Sequence, residues 1–391
     1  MYAYDGTGLG HLARLVKISQ GFSPNIDVLI VSGHEALNGH LWGDFNYIQL
    51  PNSYVEREKG FTNSELARKR VADLNLIIRD YKPHAFITDY LPLGKRCELY
   101  PIVAKGDYLK FFILRSDIGG YTLTHNDVFS QRNIYYLSEK YQRIFIGSDP
   151  SITPPFTYEW LPKSIIDKMQ YVGLVVVPID ETKVEETRKK FLNNHYRKWI
   201  VCSAGGGKMA SQLMRACLDL SQDNRFEDFQ FDIILGPYSP LCLNEFSSVL
   251  NASNVRVHTS LPNLSLLNAS ADYVICSGAY NTLTESMMGR RKTIFSFSVQ
   301  NDDEESEQST NIASFSKFYD IRRIPSLNEL KDYVWQNIHN SNALKSYPSL
   351  YINGGMNICR EIEKTPQIRN PTKVSERCGP NHQECDFSSL D

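Results

Sequence analysis

No cysteines in this sequence are spaced as a zinc or redox motif, and no apolar stretch is long enough for a membrane helix. The eight cysteines are scattered, and no Cys-x-x-Cys occurs. Cys378, His382 and Cys385 fall short of the four ligands of a structural zinc site. No window approaches the ~18–20 unbroken apolar residues of a transmembrane helix. We therefore expect free thiols and no bound metal.

The sequence also lacks an excess of charge of either sign, and its first residues do not have the pattern of a secretory signal. The formal net charge is −2, so no overall positive field favours nucleic acid. Residues 1–4 run directly into a Gly-rich turn, without the basic and apolar regions of a secretory signal. We expect a cytoplasmic protein with no nucleic-acid partner.

A third absence concerns paired carboxylates. No Asp-x-Asp occurs anywhere in the chain, although enzymes that hold a diphosphate through a divalent ion usually need such pairs. Helix dipoles and backbone amides would have to hold any diphosphate here. The expected site therefore has neither a metal nor another cofactor.

What is present is an alternation of strand-like and helix-like segments. The segment 63–81 is the clearest helix, with Leu66, Leu74 and Ile78 at helical spacing and Pro83 as a stop signal. The predicted strands are 1–4, 26–31, 47–50, 85–88, 109–114, 143–146, 199–202, 231–235, 255–258, 273–276, 293–297 and 321–324. Strands alternating with helices predict parallel sheets with helices on both faces.

This pattern predicts an α/β protein of two Rossmann-like domains that face a cleft, because each of two successive series opens with a Gly-rich turn. The predicted domains are residues 1–172 and 173–353, with 172–182 as the linker. A helix over 354–364 is expected to return to the first domain. Residues 365–391 are rich in Pro, Asn, Ser and charge, which is typical of a disordered tail.

The first Gly-rich turn contains Gly8 and Gly10 and is followed by His11. Backbone N–H groups of such a turn, with the next helix N-terminus, can approach an anion closely. His11 can serve there as a general base with a pKa near neutrality; alternatively it only packs beside the loop. The next predicted strand ends at Val31 and is followed by Ser-Gly-His34, without the acidic residue of a nicotinamide site.

The second Gly-rich turn contains Gly205 and Gly206. Its spacing is too short for a Walker A loop, but its glycines suit a diphosphate lying against backbone amides. A tight strand-to-helix turn is the alternative.

The third candidate is the run from Ser277 to Glu285. Gly278 opens a helix that contains Asn281 and Thr282, and the helix N-terminus can face a phosphate. Glu285 lies on the same face as Thr282, where a carboxylate can accept both hydroxyls of a ribose. A solvated surface glutamate is the alternative, and Glu307 and Gln308, at helical spacing, are open to the same two interpretations.

Taken in order, these runs resemble the MurG-type glycosyltransferases of family 28, in particular a bacterial branch of predicted glycosyltransferases. Further matching pieces are Leu114-Arg115-Ser-Asp117-Ile and Tyr171-Val-Gly-Leu, so the resemblance extends over about residues 1–365. It implies the GT-B arrangement, with an acceptor-binding first domain and a donor-binding second domain. It also implies metal-independent transfer that inverts the anomeric centre, with a UDP-sugar as the expected donor.

The resemblance also assigns roles to individual residues. His11 is the expected catalytic base, and Asp117 is the rival for that role. The expected donor-binding residues are Gly205, Gly206, His258, Ser277, Gly278, Asn281, Thr282, Glu285, Glu307 and Gln308. The expected acceptor-binding residues are Gly8, Gly10, Arg14, Asp89 and Arg115. The family's paired glycines before the histidine are missing here, and Ala279-Tyr280-Asn281 replaces its usual phosphate loop.

Two other functions fit the same residues. The first is a nucleotide-sugar hydrolase, which cleaves a UDP-sugar with water and shares a Gly-x-Gly-His-x-x-Arg start. The second is a sugar-nucleotide-binding protein without catalysis. The expected partners are a nucleotide sugar and a small-molecule or lipid-linked acceptor, with peripheral membrane contact and oligomeric state left open.

Overall fold

A computed structural model describes most of the chain. The described residues are 1–5, 8–35, 45–115, 128–206, 211–246, 254–290, 292–298, 302–338 and 349–369. Within them, no helix combines the length and the apolar character needed to cross a membrane.

The first sheet has seven parallel strands in the order β3-β2-β1-β4-β5-β6-β7. These strands are β1 (Tyr2–Ala3), β2 (Leu29–Ser32), β3 (Asn46–Gln49), β4 (Ala85–Asp89), β5 (Leu109–Arg115), β6 (Arg143–Gly147) and β7 (Met169–Tyr171). Apolar clusters cover both faces, one around Phe112 and Ile144 and the other around Phe111 and Phe145. Burial of both faces is what an all-parallel sheet requires.

The second sheet has six parallel strands in the order β10-β9-β8-β11-β12-β13. These strands are β8 (Lys198–Ser203), β9 (Phe229–Ile234), β10 (Val255–His258), β11 (Tyr273–Ser277), β12 (Thr293–Phe297) and β13 (Ile321–Arg323). In each sheet the chain first adds strands on one side of the first strand and then crosses over to add the remaining strands on its other side. This reversal is typical of a Rossmann fold. The prediction of two Rossmann-like domains is confirmed.

The helices lie between these strands and after the second sheet. They are α1 (Gly10–Ser19), α2 (Ser53–Glu58), α3 (Asn63–Tyr81), α4 (Tyr100–Lys105), α5 (Gln131–Lys140), α6 (Lys163–Ile166), α7 (Glu181–Phe191), α8 (Ser211–Ser221), α9 (Leu264–Ser270), α10 (Tyr280–Ser286), α11 (Asp302–Phe315), α12 (Leu330–Ile338), α13 (Gly354–Glu363) and α14 (Pro366–Arg369). Short 3-10 turns occupy Pro155–Tyr158, Asn224–Phe226, Leu243–Phe246 and Leu327–Glu329.

Helix α3 shows how local sequence sets the bounds of an element. The Thr62 hydroxyl accepts a hydrogen bond from the Glu65 N–H, and the Glu65 carboxylate accepts one from the Thr62 N–H. This capping box satisfies two N–H groups that would otherwise lack partners. The helix ends where Lys82 turns left-handed, at φ 48°, one residue before Pro83.

The chain passes between the domains twice, and the two passages lie side by side. The Leu174 N–H donates to the Tyr351 carbonyl at 2.7 Å, and the Gly354 N–H donates to the Leu174 carbonyl at 3.0 Å. Val172, Leu174 and Val175 are buried, so the predicted linker 172–182 begins as a packed segment and is helical from Glu181.

Helix α13 returns to the first domain, as predicted, and packs against α1. The Cys359 thiol donates to the Ile18 carbonyl, and Glu363 accepts from the backbone and hydroxyl of Ser23. The predicted tail needs a correction at its start, because α14 continues helical structure to Arg369, and Ile368 packs against the first core. The remainder of the tail lies outside the described residues.

Candidate functional site

The carboxyl ends of the two sheets face each other. Asn281, in the first turn of α10, donates its side-chain N–H to the Gly10 carbonyl at 2.9 Å. The Tyr280 hydroxyl donates to the carbonyl of Gly147, which ends β6. Turns after parallel strands are where α/β folds bind ligands, so this interface holds the candidate site.

Close approach of the two domains explains several of the glycines. A Cβ on Gly10 would lie 2.8 Å from the side-chain nitrogen of Asn281, so a larger residue there would displace the Asn281 side chain. Gly205 has φ +63°, a left-handed conformation that glycine tolerates best. A Cβ on Gly206 would lie 3.4 Å from the Leu9 nitrogen, whereas one on Gly8 would meet nothing within 4 Å. The two Gly-rich turns therefore meet, as predicted for opposite walls of one cleft.

His11 is held by Asp89 at this interface. His11 lies in the first turn of α1, and Asp89 ends β4, so both are at the carboxyl edge of the first sheet. The Nδ1 atom of His11 is 2.9 Å from Oδ2 of Asp89, and within the described part of the chain Nε2 has no hydrogen-bond partner. The His11 side chain is 11% exposed and that of Asp89 is fully buried. This is the arrangement of a base and the carboxylate that orients it.

Arg14 completes the support of Asp89. Its Nη1 donates to Oδ1 of Asp89 at 2.7 Å, and its side chain is buried. That Arg14 and Asp89 contact the acceptor stays a prediction, and in this structure the two side chains contact each other. One carboxylate oxygen of Asp89 contacts His11 and the other accepts from Arg14. Arg14 therefore holds Asp89, and Asp89 holds the ring of His11.

The surroundings of His11 favour a neutral ring, mainly because the ring is buried. Burial lowers the pKa of His11 below its ordinary value of 6.5, and Asp89 opposes this effect, while Arg14 and Arg115 add to it. Burial is the main cause of this shift. Burial alone would raise the pKa of Asp89, but Arg14 and His11 hold it below its ordinary value. The pair is therefore a neutral imidazole beside a carboxylate.

Aromatic rings and a second histidine surround this pair, and the sequence interpretation assigned them no role. The ring centroid of His11 lies 5.5 Å from that of Tyr4 and 4.9 Å from that of Tyr90. His34, which follows β2, is buried with an Nε2 that has no partner among the described residues, and burial lowers its pKa to about 4. Their position just after strand ends was the signal available in the sequence.

On the donor side, the expected residues are close together but engaged with protein groups. The Gly278 N–H donates to the Phe297 carbonyl, and the Gly278 carbonyl accepts from Asn311. A Cβ on Gly278 would lie 2.8 Å from the Gln308 carbonyl oxygen, so this glycine permits close packing of α11. The Gly278 amide thus already has a protein partner, and the assignment of Gly278 to the donor stays a prediction.

Ser277 and Thr282 are also buried in this region. The Thr282 hydroxyl is 3.2 Å from where a Cβ on Gly205 would lie, which places the second and third Gly-containing turns next to each other.

Glu285 pairs across the domain interface. Its carboxylate accepts from the ammonium group of Lys17 on α1 and, at 3.1 Å, from the Ser265 hydroxyl on α9. The side chain remains 15% exposed. The structure thus shows a partly accessible carboxylate with a cationic partner, where the sequence predicted a ribose acceptor.

Three further predicted contacts are taken up by protein groups. Glu307 and Arg115, expected on the donor and acceptor sides, form an ion pair at 2.7 Å. His258 is directed to a carboxylate of its own domain, with Nε2 2.7 Å from the buried Asp232. Asp117, the rival base, lies outside the described residues.

No protein-family model matches this sequence, and the search of curated proteins finds no match. Solved structures are similar in fold. UDP-GlcNAc 2-epimerase from Methanocaldococcus jannaschii, in complex with UDP-GlcNAc and UDP, has a TM-score of 0.58 at 11% identity, covering 92% of this chain and 98% of that one. UGT2 from Phytolacca americana, complexed with UDP-2fluoro-glucose and pterostilbene, has a TM-score of 0.56 at 12% identity, covering 94% of each chain.

The glycosyltransferase SnogD from Streptomyces nogalater has a TM-score of 0.54 at 12% identity, covering 93% of this chain and 95% of that one. The narrower resemblance to MurG-type enzymes stays a prediction. The similarity extends over both domains of these proteins, and the chain therefore has the two-domain GT-B type of fold.

Proposed function

We propose that this protein is a glycosyltransferase that binds a UDP-sugar between its two domains and transfers the sugar to an acceptor, with inversion and without a metal. The observation that carries the proposal is the His11–Asp89 pair, at the edge where the two sheets face each other. The fold shared with UGT2, whose structure holds UDP-2fluoro-glucose, supports the donor class, and the fold shared with SnogD supports glycosyl transfer.

The proposed step is a single displacement at the anomeric carbon. A hydroxyl oxygen of the acceptor forms a bond to that carbon, and its proton passes to Nε2 of His11. The bond from the anomeric carbon to the donor phosphate oxygen breaks, and its electron pair leaves with UDP. Asp89 stabilises the imidazolium that forms, as the carboxylate of a catalytic triad does. Attack from the face opposite the leaving group inverts the centre.

A panel of UDP-, GDP- and TDP-sugars tests the donor class by thermal shift. A ligand at ~100 times its dissociation constant stabilises the folded state by about 2.7 kcal/mol. We expect a UDP-sugar to raise the melting temperature, and sugar transfer to persist in EDTA. No stabilisation by any nucleotide sugar, or activity lost in EDTA and restored by Mg²⁺, would count against the proposal.

Nucleotide-sugar chemistry without an acceptor is the second candidate, because the similar structures include UDP-GlcNAc 2-epimerases. In that case His11 would act on water or on the sugar itself. UDP release and NMR of the sugar, with no acceptor present, separate the two functions. Rapid release of UDP or a changed sugar configuration without acceptor would favour this candidate over transfer.

Asp89→Asn is expected to change the pH profile as well as the rate. Asp89 raises the pKa of His11, so its removal should lower that pKa further.

A base works in its neutral form, and activity is therefore lost as the pH falls through the pKa of His11. In the wild type we expect this acid limb below pH 6.5. In the variant it should move to still lower pH while kcat falls, because the ring is no longer oriented. If the acid limb of the pH profile of kcat/KM is the same in the variant and the wild type, Asp89 does not influence the pKa of the catalytic base.

Glu285→Gln is expected to weaken UDP-sugar binding by about tenfold or more, since hydrogen bonds to charged groups contribute ~1.5–3 kcal/mol. We propose that Glu285 accepts the ribose hydroxyls once the donor is bound. Lys17→Met is the matched control, because it removes the same ion pair and keeps the carboxylate. Titration calorimetry should show weaker binding for Glu285→Gln alone. Equal losses in both variants would mean that the ion pair matters and the ribose contact does not.

A further inference from the structure

The first domain contains a cavity beside the His11–Asp89 pair. It has a volume of about 230 Å³ and lies at the carboxyl edge of the first sheet. Its lining residues come from the segment after β1, from α2, from the start of α3 and from the loop between β4 and α4: Tyr4, Asp5, Ser53, Tyr54, Arg57, Asn63, Lys95 and Arg96. Sites for whole drug-sized ligands have roughly 300–1,000 Å³, so this cavity suits one end of a larger molecule.

The cavity carries two guanidinium groups, those of Arg57 and Arg96. Arg57 donates from Nη2 to Oδ1 of Asn63 at 2.7 Å, and Arg96 donates from Nε to the same oxygen at 3.0 Å. Among the described residues, neither guanidinium forms an ion pair with a carboxylate. Two guanidinium groups therefore converge on one neutral amide oxygen, which leaves their charges uncompensated.

The acidic residue of the cavity does not supply the missing charge. Both carboxylate oxygens of Asp5 accept from Arg70, and Oδ2 also accepts from the backbone and hydroxyl of Ser53. Burial alone would raise the pKa of Asp5, but its bonds to Arg70 hold it below the ordinary value. Asp5 and Arg70 thus neutralise each other, and the cavity keeps a positive potential.

Arg96 provides a separate indication that a ligand is missing. Its side chain is only 6% exposed, and its Nη1 is buried without a hydrogen-bond partner among the described residues. A buried guanidinium N–H that lacks an acceptor is costly. An oxyanion in the cavity would satisfy it, and two converging guanidinium groups match the geometry of carboxylate or phosphate oxygens.

Tyr4 connects the cavity to the proposed base. It lines the cavity, and its ring lies 5.5 Å from that of His11, centroid to centroid. The charge of Arg96 also acts on the Tyr4 hydroxyl. A molecule anchored by its charged end in the cavity can therefore extend past Tyr4 and present a hydroxyl to His11.

We propose that this cavity binds an oxyanion of the acceptor, so that the acceptor is an acidic molecule carrying a carboxylate or a phosphate monoester. This proposal rests on the proposed function, because the bound molecule is an acceptor only if the protein transfers a sugar. Arg57 and Arg96 bind the oxyanion, and the hydroxyl to be glycosylated lies toward Tyr4 and His11.

Three small molecules with related skeletons test the charge requirement on the full-length protein: glycerol 3-phosphate, glycerate and glycerol. Titration calorimetry at low salt should show binding of at least one of the two anions and none of glycerol. The tighter anion identifies phosphate or carboxylate as the natural group. Binding of neither anion, or equal binding of glycerol, would overturn the proposal.

Two variants assign the binding to the cavity. Arg57→Gln and Arg96→Gln should each weaken binding of the preferred anion by about tenfold or more, because charge-assisted hydrogen bonds are roughly twice as strong as neutral ones. Arg79→Gln is the matched control, since Arg79 is an exposed arginine of the same domain that pairs with Asp80. Arg57 is exposed, so its variant keeps the test valid if Arg96→Gln does not fold. Unchanged affinity in the folded cavity variants would refute the assignment.

The same variants separate this inference from the proposed function. UDP-sugar binding, measured on each of them, should stay at the wild-type level because the donor is expected in the second domain. Anion binding without any UDP-sugar binding would remove the glycosyltransferase proposal and leave the anion site. UDP-sugar binding without any anion binding would remove the anion site and leave the glycosyltransferase proposal.

Discussion

His11→Ala and His11→Gln should each lower kcat by about 10²–10⁴-fold, the range that a positioned general base contributes. The donor affinity should change little, because His11 is bonded to Asp89 on the first-domain side of the interface. A residue that only bound the acceptor would instead raise KM. Steady-state kinetics at saturating donor measure both quantities.

His84→Ala is the matched control for this experiment. His84 is exposed and directly precedes β4, the strand that ends at Asp89, so the control changes a histidine at the opposite end of the same strand. Its kcat should equal that of the wild type. If kcat falls less than tenfold in both His11 variants, His11 is not the base, and Asp117→Asn becomes the variant to measure.

Arg70→Leu should have the largest effect on stability, at about 3–5 kcal/mol, the usual loss when one partner of a buried ion pair is removed. The Arg70 side chain is fully buried and donates to Asp5 and to Glu98, which are buried too. Its loss would leave two carboxylates out of water without their cation. Urea denaturation followed by circular dichroism gives the change in unfolding free energy.

The pH dependence of this loss provides an independent check. In the wild type the pKa of Asp5 is below its ordinary value of 3.8, so Asp5 stabilises the fold at neutral pH and this contribution is lost in acid. Without Arg70, burial should raise the pKa of Asp5, and the charged form then destabilises the fold as pH rises. The difference between variant and wild type should therefore narrow on acidification.

Arg79→Leu is the control for stability, because Arg79 lies on the same helix and pairs with Asp80 at the surface. Exposed ion pairs contribute about 0–1 kcal/mol. A loss below about 1 kcal/mol in Arg70→Leu, close to that of the control, would mean that the buried network adds no stability.

Local signals in the sequence were enough to predict the fold. Helix α3 was predicted over its observed bounds because its apolar spacing and the proline after it are readable within one segment. Most strands of both sheets were predicted from short apolar runs, and their alternation with helices indicated parallel pairing. Strand β7 was missed, since three residues with intermediate burial carry little pattern.

The site was predictable only in part, because its decisive contacts join distant parts of the chain. His11 was predicted as a base from its turn, but its partner Asp89 was assigned to the acceptor. Nothing local indicates which of the many carboxylates will meet a histidine. The Arg115–Glu307 ion pair was still harder to predict, because the two residues lie in different domains. In the sequence each of them was interpreted as a residue that contacts a ligand.

The two adjacent passages between the domains restrict how the cleft can open. Leu174 is hydrogen-bonded to both Tyr351 and Gly354, so the two passages are tied to each other and form a double connection. Tyr280 contacts Gly147 close to this connection, since a Cβ on Gly147 would lie 3.4 Å from the Val175 side chain. The rings of His34 in the first domain and Tyr238 in the second are 6.4 Å apart between centroids. Opening of the cleft would therefore separate these two rings and break the Asn281–Gly10 and Lys17–Glu285 contacts.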